Sequence, residues 1–429
     1  MKIAVVALGK IGLPLAVQCA TKDHDVIGVD VNADVVDCVN RGIEPFPGEH
    51  RLAELLAATV AAGRLRATTD TAAAVAESDA VVVVVPLFVD ADGNPDFGWM
   101  DSATEQIGRG LRPGTIVSYE TTLPVGTTRS RFGPMLEAAS GLRAGADFQL
   151  VFSPERVLTG RVFADLRRYP KLVGGVDPDS GKRGVEFYES ILDFDERADL
   201  ARPNGVWDLG SAEAAELAKL AETTYRDVNI GLANQFAVFA AANGIDVHQV
   251  IEASNSQPFS HLHTPGISVG GHCIPVYPRF YLWNDPAATV VAAARAANAG
   301  MPEYAVGQLE RLVGSLDGLR VAVLGASYRA GVKETAFSGV YPTVGALEAR
   351  GATVTVHDPL FSAAELSALG FAPHEIGMPA DAVVVQTDHA EYADLGADDF
   401  PGVRALVDGR RVTTADRWQT TARFVVGVG

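Results

Sequence analysis

Cysteine and positive charge are both scarce in this sequence. Only three cysteines, Cys19, Cys38 and Cys273, occur in 429 residues, too few and too scattered for a disulfide framework, so we expect a reducing compartment. Lys and Arg total 35 against 53 Asp and Glu, which gives a formal net charge of -18. Because nucleic acids and anionic membranes attract concentrated positive charge, neither is expected as a partner.

Long apolar runs are absent as well. No stretch reaches the roughly 20 apolar residues that span a bilayer, so no membrane segment is expected. The N-terminus resembles a signal peptide, with Lys2 before an apolar run, but Gly9 and Lys10 interrupt that run and a second strand pattern follows it. We therefore expect a cytoplasmic protein, and a chain of 429 residues predicts about two or three domains.

Short apolar, β-branched segments recur near the start and near the end of the chain, separated by segments of helical period. Such runs without alternation are typical of parallel strands buried on both faces. The predicted strands are 3–7, 26–29, 81–85, 115–119, 149–152, 321–325, 354–357, 382–386 and 405–407. This rhythm predicts an α/β protein with two Rossmann-like, doubly wound domains.

A helical region separates the two α/β regions. Ser211 is a plausible N-cap, and helical character continues unbroken to Asn243 and Gly244, a typical C-terminal stop. A helix of about 32 residues would be about 48 Å long, which predicts a spine between domains or subunits. The predicted domains are a nucleotide-binding Rossmann domain over 1–205, a central helical domain over 206–305 and a Rossmann-like domain over 306–429.

The stretch VVALGKIGLP is nearly a dinucleotide-binding fingerprint. An apolar strand leads into the glycine-rich turn, but Ala7 stands where the first glycine belongs, while Gly9 and Gly12 hold the other two places. Gly9 leaves room for backbone N–H groups to approach a pyrophosphate. Asp30 ends the second strand, where an acid binds the ribose hydroxyls and disfavours the extra phosphate of NADP. Together these features predict an NAD site; the alternative is a Rossmann-like domain with an empty site.

Cys273 lies in VGGHCIPVYP, where two glycines allow a ligand close to the backbone. A lone cysteine is more often a packing residue, but a thiol can also attack an aldehyde to give a thiohemiacetal, which a second hydride transfer converts to a thioester. Lys219 on the long helix could stabilise the oxyanions, or it could be a solvated surface lysine. His261, His263, His272 and Cys273 could mimic a zinc site, but their spacing matches no closed zinc pattern, so we expect no metal.

Over essentially the whole length, the sequence resembles the UDP-glucose/GDP-mannose dehydrogenase family, and within it the branch acting on UDP-N-acetylhexosamines. The segments that carry the resemblance, in order, are GKIGLPLA, NRG, GRLRATTD, TTLPVGTT, SPERVLTGR, AAELAKLAETTYRDVNIGLANQ, GGHCIP, ARAANAGMP, VTVHDP, DAVVVQTDHAEY and VDGRR. The resemblance implies an NAD-dependent enzyme that oxidises C6 of a nucleotide sugar from alcohol to carboxylate. It also implies a homodimer through the long helix and a C-terminal domain that holds the nucleotide of the substrate.

The resemblance assigns roles to individual residues. Cys273 matches the nucleophile, Lys219 the cation beside the oxyanion, Thr122 the threonine near the nicotinamide and catalytic water, and Glu155 the acid of the SPE motif; Thr223 stands in the place of a catalytic asparagine. The NAD positions are Gly9, Lys10, Ile11, Gly12, Asp30, Pro86 and Thr122. The substrate positions are Glu155, Lys219, Gly270, Gly271, His272, Arg329 and Arg410.

Four single residues depart from the family pattern. Besides Thr223, Tyr277 replaces an acid that helps activate the hydrolytic water. Thr159 stands where UDP-glucose enzymes carry a second Glu, which the N-acetylhexosamine branch also lacks. Phe259 replaces an Arg that in relatives reaches into the partner subunit's pocket. The distal motif has become GVKETAFSG.

Three functions are therefore compatible with the sequence. The first is a nucleotide-sugar 6-dehydrogenase that makes a uronate, with UDP-ManNAc or UDP-GlcNAc as the expected substrate and UDP- or TDP-glucose as the alternative. The second is an enzyme of the same fold that stops at the aldehyde, and Tyr277 and Thr223 favour it. The third is a catalytically silent nucleotide-sugar binding protein, for which Ala7 and the altered distal motif are the evidence.

Overall fold

A computed structural model of the chain describes residues 1–90 and 92–429. The chain divides into two compact units, Met1–Ala221 and Glu222–Gly429, and the division falls within the longest helix, Ala212–Ala242. The predicted long helix is confirmed, with ends one residue inside those expected from the sequence. The three predicted domain boundaries stay a prediction.

The first unit alternates strands and helices. Its strands are β1 Lys2–Val6, β2 Asp25–Val29, β3 Leu65–Thr68, β4 Ala80–Val83, β5 Phe88–Val89, β6 Pro95–Asp96, β7 Ile116–Tyr119, β8 Gln149–Phe152, β9 Lys171–Gly175 and β10 Val206–Asp208. Its helices are α1 Gly12–Thr21, α2 Ala33–Asn40, α3 Leu52–Ala61, α4 Thr71–Ala76, α5 Gly98–Gly110, α6 Gly133–Ser140, α7 Val162–Arg168 and α8 Pro178–Ile191, with a π-helical turn at Thr128–Phe132.

The second unit begins within α9, Ala212–Ala242, and continues with four more helices before its sheet. The remaining helices are α10 Val247–Asn255, α11 Tyr277–Asn284, α12 Thr289–Ala299, α13 Met301–Val313, α14 Val340–Glu348 and α15 Ala363–Ala368, with 3₁₀ turns at Ala390–Asp394, Ala397–Asp399 and Ala415–Trp418. The strands are β11 Arg320–Leu324, β12 Thr353–His357, β13 Ala382–Val385, β14 Ala405–Asp408 and β15 Ala422–Val425.

Each unit is built on a sheet with the strand order of a doubly wound fold. The first sheet has eight strands in the order β10-β9-β8-β7-β4-β1-β2-β3, and the second has five in the order β12-β11-β13-β14-β15. Helices cover the apolar strands in both units. The predicted α/β class, with two Rossmann-like domains and a central helical region that contains one long helix, is confirmed.

The strand prediction missed β3, β9, β10, β15 and the short hairpin β5/β6. These strands are short, partly polar or glycine-containing, so they lack the apolar run that marked the others. The nine predicted strands pair in parallel with one another, whereas the unpredicted β9 runs antiparallel to β8. β9 is buried along its whole length, as parallel strands usually are, so burial on both faces does not distinguish its direction.

The turn between β1 and α1 is the tightest backbone feature near the glycine motif. Ala7 adopts a φ of +77°, in the left-handed region that costs an L-residue about 1–2 kcal/mol. A Cβ at Gly12 would overlap the Ala7 carbonyl oxygen, so the third glycine is required for α1 to pack against the turn. The first glycine position therefore keeps its unusual conformation although it is occupied by alanine.

We predict that Ala7→Gly stabilises the first unit by up to about 1 kcal/mol, because glycine adopts positive φ without steric cost. Urea unfolding followed by circular dichroism measures the change. Ala58→Gly, in the exposed interior of α3, is the matched control and should lose about 1 kcal/mol. If both variants are destabilised to the same extent, Ala7 is not strained.

Candidate active site

The turn after β1 and the residue after β2 are joined by a hydrogen bond in the first unit, and together they form the candidate cofactor site. Asp30 Oδ2 accepts a hydrogen bond from Leu8 N at 2.8 Å, and its Oδ1 accepts one from Asn32 N at 2.9 Å. The first turn of α1 has no acidic residue and no side-chain cap, so its N–H groups are directed at the turn. A Cβ at Gly9 would meet no atom within 4 Å, which leaves the open space that a pyrophosphate needs. These residues fit NAD.

The other first-unit candidates lie at the same edge of the sheet. Pro86 follows β4, Thr122 follows β7 and Glu155 follows β8. These three strands are adjacent in the sheet and run parallel, so the residues that follow them lie at the same edge. Ligands of open α/β sheets bind at the carboxyl ends of the strands. Thr122 is buried, whereas Pro86 and Lys10 are exposed. The structure thus gathers Asp30, Pro86, Thr122 and Glu155 at one edge.

Glu155 belongs to a buried ionic cluster. Lys171 Nζ lies 3.0 Å from Glu155 Oε2 and 2.7 Å from Glu120 Oε2, and Tyr188 donates its hydroxyl hydrogen to Glu120 Oε1 at 2.7 Å. Burial raises the pKa of Glu120 to about 7 despite the attraction of Lys171. Burial acts in the same sense on Glu155, but the charge of Lys171 and hydrogen bonds outweigh it and hold the pKa of Glu155 below its usual range. Glu155 is thus a carboxylate at neutral pH.

A second buried carboxylate connects the loop after Thr122 to α9. Glu216 accepts hydrogen bonds from Gly126 N at 2.5 Å, from Thr128 N at 2.9 Å and from Thr128 Oγ1 at 2.7 Å. Burial raises the pKa of Glu216 to about 7. Lys219 follows one turn later and is also buried, with 7% exposed. The carboxylate therefore fixes the helix that carries Lys219 against the Thr122 loop.

In the second unit, Asn234 of α9 and Arg295 of α12, which is paired with Asp227 of α9, bind the chain on either side of Cys273. Arg295 donates two hydrogen bonds of 2.5 Å to the Asp227 carboxylate and one of 3.3 Å to the Pro275 carbonyl oxygen. Asn234 accepts a hydrogen bond from Gly266 N at 2.9 Å. Because Pro275 and Gly266 flank Cys273, these contacts hold both arms of its loop.

The Cys273 thiol is exposed, and its backbone is set by close packing. Cys273 O accepts a hydrogen bond from Tyr277 N at 2.9 Å, and Gly271 N donates one to Ala336 O at 3.0 Å. A Cβ at Gly270 would come within 2.7 Å of Tyr328 Cβ, and Gly271 has a φ of +88°. The glycines are therefore required for the loop to pass this close to its neighbours, and the thiol is left accessible.

The two distal arginines differ in their surroundings. Arg410 donates to the carbonyl oxygens of Gln386 and Ser268, both at 3.0 Å, and burial lowers the pKa of Arg410. Arg329 is exposed beside Tyr328, with its guanidinium carbon 5.8 Å from the ring centroid. His272 is exposed and packs edge-on against Phe337. Arg410 also packs closely against the chain before the glycines, because a Cβ at Gly266 would lie 2.6 Å from its Nη1.

The candidates thus fall into two groups. The first unit contains Gly9, Lys10, Ile11, Gly12, Asp30, Pro86, Thr122, Glu155 and Lys219, and the second contains Thr223, Gly270, Gly271, His272, Cys273, Arg329 and Arg410. In the described part of the chain, no three His, Cys, Asp or Glu side chains are grouped to hold a metal. No helix of the described residues is long and apolar enough to cross a membrane.

Sequence reasoning missed several polar residues around the candidates. Glu216 and Asp227 share α9 with Lys219 and Thr223, at intervals of three or four residues, and all four are buried. A polar residue at each turn of one helix face was a signal that could have found them. Glu120 and Lys171 gave no comparable signal, because they are distant in sequence and meet only through the sheet.

The chain matches three models of the UDP-glucose/GDP-mannose dehydrogenase family: the NAD binding domain over 1–192, the central domain over 213–299 and the UDP binding domain over 322–416. It is 32% identical to a UDP-N-acetyl-D-mannosamine dehydrogenase of Pyrococcus horikoshii over 424 residues, 96% of each chain. A solved structure of UDP-D-ManNAc dehydrogenase from that organism superimposes with a TM-score of 0.89, at 29% identity, over 100% of this chain and 99% of the other. An NDP-N-acetyl-D-galactosaminuronic acid dehydrogenase from Methanosarcina mazei gives a TM-score of 0.86, at 30% identity, over 100% and 95%.

We predict that Asp30→Ala weakens NAD binding by roughly tenfold or more, because a hydrogen bond to a charged group contributes about 1.5–3 kcal/mol. NADP binding should change less, since the removed carboxylate repels the 2'-phosphate. Cofactor titration by protein fluorescence measures both. Asp25→Ala, which removes an exposed carboxylate paired with Arg64 at the start of β2, is the control; an unchanged NAD to NADP ratio in Asp30→Ala would contradict the assignment.

Proposed function

The chain belongs to the UDP-glucose/GDP-mannose dehydrogenase family and is an NAD-dependent nucleotide-sugar dehydrogenase, and we propose that it oxidises C6 of a UDP-N-acetylhexosamine from alcohol to carboxylate. UDP-N-acetyl-D-mannosamine is the first candidate substrate, because the relatives at about 30% identity include several enzymes named for it. The observation that carries the proposal is the exposed thiol of Cys273, held in a glycine-flanked loop.

Gly9, Gly12 and Asp30 would hold the cofactor in the first unit, with the helix N-terminus at the pyrophosphate and Asp30 at the ribose. NAD supplies the hydride acceptor for each of two oxidations at C6. The residues of the chain bind the sugar nucleotide and retain the aldehyde intermediate until the second oxidation. The uridine diphosphate is assigned to the second α/β region, where Arg329 and Arg410 provide positive charge.

Cys273 connects the two oxidations. After C6 has become an aldehyde, Sγ bonds to the carbonyl carbon, and the carbonyl oxygen takes a proton to give a thiohemiacetal. Loss of a second hydride and the hydroxyl proton leaves a thioester. Water then adds to that carbon and the C–S bond breaks, which gives the carboxylic acid and returns the proton to Sγ. One sugar nucleotide, two NAD and one water thus give the uronate, two NADH and three protons.

The remaining residues stabilise the oxyanions or bind and deprotonate the water. Lys219 would stabilise the oxyanions of the thiohemiacetal and of the hydrolytic intermediate. The hydroxyl of Thr223 would bond the water, with Thr122 near the reacting carbon. Tyr277 offers a phenol where relatives carry an acid, so Glu155, a carboxylate at neutral pH, is the better acceptor for a proton from water.

We predict two NADH per sugar consumed when UDP-ManNAc, UDP-GlcNAc, UDP-glucose, TDP-glucose and GDP-mannose are offered separately, with a uronate identified by mass for the true substrate. Cys273→Ala should form no uronate but bind the sugar nucleotide within about threefold of the wild type. Cys38→Ala, a half-buried cysteine on α2, is the control and should retain both NADH.

Other outcomes separate the alternatives. One NADH with an aldehyde product would mean that the reaction stops halfway, as the replacements at Thr223 and Tyr277 would allow. Binding of sugar nucleotide without turnover would favour the silent binder. An unimpaired uronate yield from Cys273→Ala would reject the nucleophile.

The partner we propose is a second copy of the chain, bound through α9. Five large apolar side chains on this helix are 39–63% exposed. They are Leu217, Tyr225, Leu232, Phe236 and Phe239. Four of them recur at intervals of seven, four and three, which places them on one helical face. An apolar stripe of this kind on a long helix is typical of a helix–helix interface.

We predict that Phe236→Glu combined with Phe239→Glu raises the dimer dissociation constant at least about thirtyfold, since central aromatic residues each contribute about 2 kcal/mol or more to such interfaces. Light scattering at several protein concentrations measures it. Trp99→Glu, which changes an exposed aromatic residue on α5, is the control. A wild-type monomer at all concentrations would reject the dimer.

A further inference from the structure

The antiparallel strand β9 brings a lysine to the catalytic edge of the first sheet. Val151 pairs with Gly175 and Phe152 with Gly174. Continued past the end of β8, this register places Lys171, the first residue of β9, opposite Glu155. In a parallel strand the first residue would lie at the far edge of the sheet.

Three charged groups meet there, and they differ in access to solvent. The side chain of Glu120 is 0% exposed, that of Lys171 is 5% and that of Glu155 is 13%. Lys171 donates to both carboxylates, and Tyr188 donates to Glu120 while its oxygen lies 2.6 Å from Ser118 Oγ. Glu155 is the most exposed of the three, Lys171 lines the same small pocket beside it, and Glu120 is fully enclosed.

The cluster has one cation and two carboxylates, so it carries a buried net negative charge when all three groups are ionised. Burying an uncompensated charge is costly, and a carboxylate that shares a site with another takes up a proton more readily. Glu120, the deeper carboxylate, is the one whose pKa rises to about 7. Lys171 stays protonated, because the two carboxylates outweigh the effect of burial and raise its pKa.

We propose that Glu120 and Lys171 are positioning residues for the oxidation, which set the charge and orientation of Glu155. The proposal rests on the function proposed above, in which Glu155 accepts a proton from water. Lys171 fixes the carboxylate through an ion pair, and the backbone N–H of Arg156 donates to Glu155 Oε1 at 2.7 Å. Glu120 adjusts how strongly Glu155 attracts a proton.

The adjustment follows from charge. While Glu120 is protonated, the ammonium of Lys171 acts on Glu155 alone and makes it a weak base. When Glu120 loses its proton, a second negative charge behind Glu155 raises its proton affinity. The groups that face Glu120 are Lys171 from β9, Glu155 after β8, Tyr188 from α8 and the buried thiol of Cys19 from α1. We therefore expect kcat to rise with pH through about 7.

The test compares pH profiles of kcat for the wild type, Glu120→Gln and Tyr188→Phe. Glu120→Gln should abolish the rise near pH 7 and lower kcat at pH 8 at least fivefold, with KM for NAD and sugar nucleotide within about twofold. Tyr188→Phe removes a hydrogen bond that favours the Glu120 carboxylate, so it should move the rise to higher pH. Profiles of both variants that superimpose on that of the wild type would overturn the proposal.

Lys171→Arg and Lys171→Met test the cation. Arg keeps the charge and should retain most of kcat, whereas Met should lower it more than tenfold by neutralising Glu155. The Met variant leaves two buried carboxylates without a cation and can fail to fold, so the Arg variant is the decisive test. If Lys171→Arg lowers kcat as much as Glu155→Gln does, the role of the positive charge is contradicted.

A readout without turnover separates this proposal from the proposed function. Glu120 has a raised pKa in the folded chain, so its contribution to stability is complete below its ordinary pKa and is lost as pH rises through about 7. The Tm difference between wild type and Glu120→Gln should therefore shrink between pH 5 and 8. If this Tm difference changes with pH but no nucleotide sugar is oxidised, the proposed function is wrong and the charge coupling within the cluster is supported. A Tm difference that does not depend on pH would contradict the charge coupling.

Discussion

Buried polar side chains require hydrogen-bond or ion-pair partners, and on α9 these partners fix the position of the helix. Glu216, Asp227 and Asn234 are almost completely buried, and an unpaired polar group there would cost about 1–3 kcal/mol or more. Each one therefore binds backbone or a charged partner: Glu216 the loop before the π-helical turn, Asp227 an arginine and Asn234 a backbone N–H. The helix that carries Lys219 and Thr223 is thus fixed by neighbours on both sides of them.

The architecture could be predicted where apolar sequence determines it. Strands such as 149–152 are continuous apolar runs, and burial of both faces leaves little choice of structure. The long helix was predicted to within one residue at each end, because its capping residues and its uninterrupted helical character are local properties. Strand β9 was missed for the opposite reason: KLVGG has two glycines and a charged first residue. Its antiparallel direction depends on partner residues in β8 that lie 22 and 24 positions earlier (174 − 152 and 175 − 151).

Some residues of the candidate site could likewise be predicted from the sequence, and others could not. The glycine turn, Asp30 and the GGHCIP loop stand out because close backbone approach requires particular residues at particular positions. Ala7 shows the limit of such reasoning, since an alanine occupies a positive φ that the fingerprint assigns to glycine. Lys171 and Glu120 could not be found from the sequence. Their chemistry arises only when three strand ends meet, and each residue alone has the pattern of an ordinary strand terminus.

The register of β8 and β9 has a consequence for how this fold can diversify. Backbone hydrogen bonds of the strand pair, and not the intervening segment 156–170, fix where Lys171 lies relative to Glu155. Apart from Arg156, whose backbone N–H donates to Glu155 Oε1 at 2.7 Å, exposed positions of that segment can therefore change without moving the cation. The segment contains α7, so the outer surface of this helix can vary while the ion pair beside it is kept.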